Sequence, residues 1–231
     1  MGGTGAFGYY GKAPCRGDFL GSGLSPDFVR AWDAAMQSLV LAGRDALGTR
    51  WQACYLMAPI WRFAVPPGAL ARRAVAGIMM PSVDRVGRLF PLCLACERDG
   101  TGWEAFSALT PLFGRLEAAA LAMLDDDADP DMLETALALL PVPTAGPPVR
   151  ARRVGDATAL VAPNGPDAAL ALFATRDPVG LWQSEHAGEQ RLLICAGLPA
   201  GRDQAAAIFD IDAPVWAGAD LQRTQSEGAA R

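Results

Sequence analysis

A chain of 231 residues, 51% hydrophobic and only 19% charged, is long enough to bury a core of its own and too apolar to be generally disordered. Its net charge of −5, with Lys12 as the one lysine, lacks the clustered cations that phosphate binding draws on, so no nucleic-acid partner is expected. The remaining positive charge is arginine, whose planar fork suits carboxylate contacts at protein interfaces.

In chain order, Ser25, Pro26 and Asp27 read as an N-cap, a first helical position and an acid at the positive end of the dipole. They predict a helix to about Leu41, with Phe28, Trp32, Met36, Leu39 and Val40 along one stripe and Gly43 as its stop. Residues 54–65, aromatic and branched and interrupted by Pro59, read as strand in one or two pieces. Residues 74–80 and 88–95 read as two strands of a hairpin joined by the polar connection 81–87. A long helix is predicted from Trp103 to about Leu124, with Phe106, Leu109, Leu112, Phe113, Leu116, Ala120 and Met123 on or near one face.

The acidic run 125–131 reads as a solvated turn that also caps a helix from Met132 to Leu140. A calcium loop is excluded because its glycine and its terminal glutamate are missing. Residues 141–148 hold four prolines and mark a seam, within what we read as one domain over 1–231. Beyond it, 158–162 and 191–196 read as buried strands, 180–182 as a shorter one, and 203–209 as a last helix. The polar tail from about residue 222 is expected to fray. The elements add up to an α/β (α+β) fold with a mixed, largely antiparallel sheet flanked by helices.

The cysteines (15, 54, 93, 96 and 195) are odd in number and mostly lie in apolar stretches, as buried free thiols do. There is no charged region followed by an apolar one at the start and no bilayer-length apolar run, which predicts a cytoplasmic protein without membrane insertion.

Catalytic signals are weak. The single histidine, His186, falls in a predicted turn, which gives no Ser-His or Cys-His mechanism a rigid base. Cys93 and Cys96 form a C-x-x-C without a second pair and within a predicted strand, so they read as core thiols and not as a metal or redox site. Gly11-Lys12 lacks the glycine and the Ser or Thr of a phosphate loop, and Arg16-Gly17-Asp18 is ordinary turn chemistry. No catalytic residue, cofactor or metal is expected.

Two clusters mix arginine, acid, glycine and proline inside otherwise apolar sequence: residues 8–19 and residues 80–92. Charges so placed are costly to bury unless paired. Structurally, Asp18, Asp84, Arg85 and Arg88 would pair with one another to fix loop conformation while the glycines permit turns. Functionally, the same groups would present a docking surface with Tyr9, Tyr10 or Trp61 as aromatic anchors. The two readings can coexist.

Four ordered motifs carry a resemblance. G-Y-Y-G-K-x-P-x-x-G-D-F over 8–19, the helix with Trp32-Asp33, A-P-I-W-R-F over 58–63, and G-x-M-M-P-S-V-D-R-V-G-R-x-F-P-L over 77–92 together resemble the TagF family of type VI secretion-associated proteins. The likeness is strong over about 6–125 and weaker afterwards, where Gly180-Leu181-Trp182 and Gly197-Leu198-Pro199 look like the family's later segments. The resemblance implies a longin-like fold and a cytoplasmic, non-catalytic regulator. Such a regulator restrains assembly of the secretion machine by binding a forkhead-associated-domain scaffold protein. A phosphatase domain fused to some relatives needs metal-binding aspartates on a longer chain and is not implied. On this reading Arg16, Asp18, Trp61, Arg62, Asp84, Arg85 and Arg88 lie at or beneath the partner-holding surface. The competing readings are a structural subunit of the apparatus and a hydrolase with an unrecognised acidic or arginine pocket.

Overall fold

The computed structural model describes residues 5–144, 150–154, 157–161 and 179–217. Its strands are β1 (Phe7–Gly11), β2 (Leu20–Ser22), β3 (Trp61–Val65), β4 (Ala74–Met80), β5 (Leu92–Arg98), β6 (Arg150–Val154), β7 (Ala157–Val161), β8 (Gly180–His186) and β9 (Glu189–Cys195). Seven of them form one sheet in the order β2-β1-β5-β4-β3-β8-β9, and every neighbouring pair is antiparallel. Strands β6 and β7 pair with each other as a separate two-stranded sheet. The largely antiparallel sheet flanked by helices that the sequence predicts is therefore present.

Helices cover both faces of the large sheet. On one face lie α1 (Pro26–Leu47), α2 (Trp51–Met57) and the C-terminal helix Gly201–Phe209; on the other lie α3 (Gly102–Leu109), α4 (Phe113–Leu121) and α5 (Pro130–Ala138). The C-terminal helix is called α6. Double coverage explains why β4 is buried at all seven positions and reads as a continuous apolar run without alternation. Val75 and Met79 join one core, while Ala74, Ala76, Ile78 and Met80 join the other.

The two cores are filled differently. Beneath α1 the rings of Phe28, Trp32, Phe63 and Trp182 stack in series, with centroids 5.6, 5.1 and 4.9 Å apart. Each ring taken out of water contributes about 2 kcal/mol of transfer free energy, and stacking adds up to about 1 kcal/mol per pair. On the other face small residues, Ala64, Ala74 and Ala76, meet Ala105, Leu109, Phe113 and Leu116 of α3 and α4. Small side chains let those helices approach the strands closely.

Several elements depart from the sequence expectation; residues 88–91, read as the start of a strand, precede β5, which begins only at Leu92. The spacing predicts a stop at Gly43, yet α1 runs to Leu47 and ends at Gly48, at φ 53°. Gly43 is a mid-helix position where the Trp51 ring crosses closely: a Cβ there would stand 2.3 Å from that ring. Residues 51–57 are helix, not strand, with Trp51 and Tyr55 buried at helical spacing; strand begins only at Trp61, after Pro59. The long helix over 103–124 is broken at Pro111, which has no N–H to donate and whose ring displaces the carbonyl four residues back, so α3 and α4 are joined by a 3-10 turn over Thr110–Leu112. Finally, β9 is at the sheet's edge, and only Cys195 at its end is buried, so residues 191–196 are not a core strand.

The short strand expected at 180–182 extends to His186, and the last helix begins at Gly201. The predicted tail and the second half of the proline-rich seam, 145–148, lie outside the described residues.

Candidate functional site

Strand register brings the motifs together. Trp61 opposes Met79, Met80 opposes Leu92, and Cys93 opposes Tyr10, so the end of β1, the start of β3, the end of β4 and the start of β5 share one end of the sheet. The residues leaving that end are 12–19 and 81–91, the loop portions of the two clusters that mix charge with glycine and proline.

Asp84 joins them. Its residue is 2% exposed, and its two oxygens accept four hydrogen bonds. Oδ2 accepts from Lys12 Nζ at 2.7 Å and from Arg88 Nε at 2.6 Å, while Oδ1 accepts from the backbone N–H groups of Val86 at 3.1 Å and Arg88 at 2.8 Å. Burial opposes the charge on Asp84, but the bonds from Lys12, from Arg88 through backbone and side chain, and from Val86 outweigh it and hold the carboxyl well below the usual carboxylate range. Gly87, at φ 81°, closes the turn with its N–H donating to the Asp84 carbonyl at 2.8 Å.

The backbone completes the joint. The Arg85 N–H donates to the Arg16 carbonyl at 2.9 Å, and Arg88 Nη2 donates to the Gly17 carbonyl. Tyr55, from α2, donates its hydroxyl to the Ser82 carbonyl at 3.0 Å and accepts from the Ser82 N–H at 3.2 Å. Above the joint Arg16, Asp18, Phe19, Arg85, Val86 and Arg88 are exposed, Val86 at 70%. Phe19 stacks on Tyr10 at 5.3 Å, meets Phe90 edge-on at 4.9 Å, and lies 5.1 Å from Lys12 Nζ. The result is a rigid corner carrying three arginines, an aromatic ring and an aliphatic side chain on an otherwise acidic protein.

The pairing expected among Asp18, Asp84, Arg85 and Arg88 is realised only between Asp84 and Arg88; Asp18 and Arg85 enter none of the ion pairs among the described residues. Their charges project outward, where water solvates them, while Lys12 takes the place at Asp84. Trp61 is not an exposed anchor: it is 1% exposed beneath α6, with its indole N–H donating 3.0 Å to the Ile208 carbonyl. Tyr9 is buried, and its hydroxyl donates to Glu134 on α5 at 3.0 Å; burial, then that bond, pushes its phenol up to about 12. Tyr10 is half-buried and donates to Asp33 on α1 at 3.1 Å, so it supports Phe19 from below. Arg62 points to the other face of the sheet, where Nε and Nη2 clasp Glu117 of α4 at 2.6 and 3.1 Å over the Phe113 ring. Lys12 and Phe19 lie inside the first cluster but were not singled out as site residues, and Tyr55 and Glu117 are the contributors that sequence reasoning did not place in the site at all.

The Cys93 and Cys96 side chains enter opposite cores, so this C-x-x-C cannot close on one ion. Burial pushes the Cys93 thiol up and that of Cys96 up to about 12. Among the described residues no group of three His, Cys, Asp or Glu side chains could hold a metal ion. His186 ends β8 at a two-residue turn through Ala187 and Gly188. A polar cleft of about 570 Å³ lies at the opposite end of the sheet, lined by Ser25, Arg72, Arg73 and Glu97 among others, and includes neither Asp18 nor Asp84.

Comparison with known proteins gives the family and the fold. The family model described as the TagF N-terminal domain, type VI secretion system-associated, matches residues 8–140, which include both clusters and helices α1 to α5. The crystal structure of PA0076 from Pseudomonas aeruginosa PAO1 is similar, with a TM-score of 0.67 and 33% sequence identity over 88% of this chain and 94% of that one. No curated protein matches the sequence.

Proposed function

The chain belongs to the type VI secretion-associated TagF N-terminal domain family, and from that membership we propose that it is a regulator which restrains assembly of the secretion machine by binding a forkhead-associated-domain scaffold protein. It acts in the cytoplasm, by occupancy and without turnover. The observation that supports this reading is the Asp84 joint: one buried acid fixes two separate loops so that Arg16, Arg85 and Arg88 are held outward beside Phe19 and Val86. Arginine and aromatic side chains are the residue types that dominate interface energies. Holding them in place before the partner arrives removes part of the ordering cost of binding.

The test is binding of a purified forkhead-associated scaffold to the full chain by biolayer interferometry. Wild type is compared with Arg16→Glu/Arg85→Glu, and with Arg30→Glu on exposed α1 as a charge control. Both variants are first shown by circular dichroism to be folded. The reading expects the double variant to lose about tenfold or more while the control binds as wild type. Equal binding by all three moves the interface elsewhere. No binding by wild type removes this scaffold as the partner, and stoichiometric co-purification with the assembled machine favours a structural subunit.

A further inference from the structure

We propose that the groove between α4 and α5 is a second docking surface, and that its occupant is a cationic amphipathic helix of a protein partner. The groove encloses about 410 Å³, within the range of about 300–1,000 Å³ typical of binding concavities. Its floor is apolar and largely small, with Ala119, Ala128 and Ala136 half-buried beside the buried Met123 and Leu133. Small floor residues let a third helix approach closely, as helices do at axial separations of about 8–10 Å.

Met132 forms one wall at 69% exposure, and outside the groove's lining Leu121, the last residue of α4, and Leu124, on the turn after it, are also exposed. Neither capping nor solvation calls for apolar side chains at those positions. The pliant thioether of methionine is a recurrent feature of helix-binding grooves. With nine residues each, α4 and α5 are about 13 Å long, which seats three anchors at i, i+3 or i+4, and i+7 of a partner helix.

The rim decides the partner's charge. Asp125, Asp127 and Asp129 line the groove, and none of them enters an ion pair among the described residues. Capping uses one oxygen of Asp129 and a local turn one oxygen of Asp125; Asp126 and Asp131 add further exposed negative charge. Such a rim repels nucleic-acid phosphates and anionic lipid headgroups and attracts lysine and arginine. An apolar floor inside an acidic rim is the complement of a helix with one apolar and one basic face.

The probe is a fluorescein-labelled Leu/Lys amphipathic peptide of about 14 residues, near the length at which an isolated helix begins to hold. It is titrated with the full chain by anisotropy, beside a peptide of the same composition rearranged to have no apolar face. The proposal expects the amphipathic peptide to bind at least about tenfold more tightly than the rearranged one. It also expects Ala122→Trp, which puts a large ring into the groove from its exposed side, and Asp125→Asn/Asp127→Asn, which keeps the turn but removes rim charge, each to weaken binding several-fold. Arg16→Glu/Arg85→Glu, whose added negative charge favours a cationic peptide, does not weaken this binding, which separates the result from the fate of the loop surface. Absence of binding, equal binding of the rearranged peptide, or indifference to both groove variants overturns the proposal. So does stronger peptide binding by Arg150→Glu/Arg152→Glu/Arg153→Glu, because the chain's own basic strand would then be the occupant.

Discussion

Asp84 and the aspartates of residues 125–131 carry the same side chain under opposite conditions. Asp84 is out of water, and donors from Lys12, Val86 and Arg88 converge on its two oxygens. Along 125–131 the carboxylates face solvent, and the hydrogen bonds to them come from backbone N–H groups two residues on, to Asp125 and Asp129. An acid of the first kind fixes conformation, because the cation facing it has no solvent to turn to. Acids of the second kind set the field around a surface without holding it together. The loop corner should therefore be rigid and breakable, and the α4–α5 region tolerant of change.

The largest expected effect follows from removing the buried acid. Asp84→Ala leaves Lys12 buried without a counter-ion, and breaking a buried pair in this way costs about 3–5 kcal/mol. Urea denaturation measures it, and a loss under about 1 kcal/mol would show that the joint does not hold the loops. The same acid gives a pH signature. Its carboxyl is held below the ordinary 3.8 in the folded chain, so its stabilisation is complete above that value and drains away as pH falls towards the folded one. The urea midpoints of wild type and Asp84→Asn should converge as pH drops below about 4, and a gap that stays constant with pH contradicts the assignment.

A smaller contrast comes from two glycines. Gly11 ends β1 at φ 149°, and a Cβ there would meet the Pro91 carbonyl oxygen at 2.3 Å and Leu92 Cα at 2.7 Å. Gly11→Ala should therefore destabilise the chain by about 2–3 kcal/mol, since backbone, not a movable side chain, stands in the way. Gly114, in α4, has nothing within 4 Å of its Cβ position, so Gly114→Ala should stabilise by about 0.5 kcal/mol through helix propensity alone. Thermal melts of the two variants should move in opposite directions.

How much of this was legible depended on distance along the chain. Strand β4 and the start of α1 were readable because their signals are local: an unbroken apolar run in one, and a cap followed by proline in the other. The proline that splits α3 from α4 was also local, but the apolar stripe running through it is continuous and masks the break. Helix α2 was unreadable because seven residues give two buried positions, Trp51 and Tyr55, too few to separate a helical period from a strand. At the site, the clusters were legible and their wiring was not. Lys12 meets Asp84 across 72 residues, and Tyr55 meets Ser82 across 27, contacts that only the folded sheet creates. Trp61 shows the reverse error, since a tryptophan looks the same in a core as on a surface. The alternation of Trp61, Phe63 and Val65 on one face of β3 was the available clue to its burial.

The smallest expected effect lies in the acidic run, where Asp126 is exposed and enters no ion pair among the described residues. Asp126→Asn should change stability by less than about 0.5 kcal/mol, the usual range for a surface substitution away from caps and cores. Asp129→Ala should cost more, about 1 kcal/mol, because Asp129 is the N-cap of α5 and accepts from the Asp131 N–H at 3.0 Å. If Asp126→Asn proves as costly as Asp84→Ala, the distinction between the two kinds of acid fails, and the run must be holding something in place. If Asp129 stands apart from its neighbour as expected, one carboxylate of the run has a structural task in capping α5, and Asp126 supplies charge that can be changed without unfolding the chain. That separation is what allows the groove to be tested by mutation while the fold remains intact.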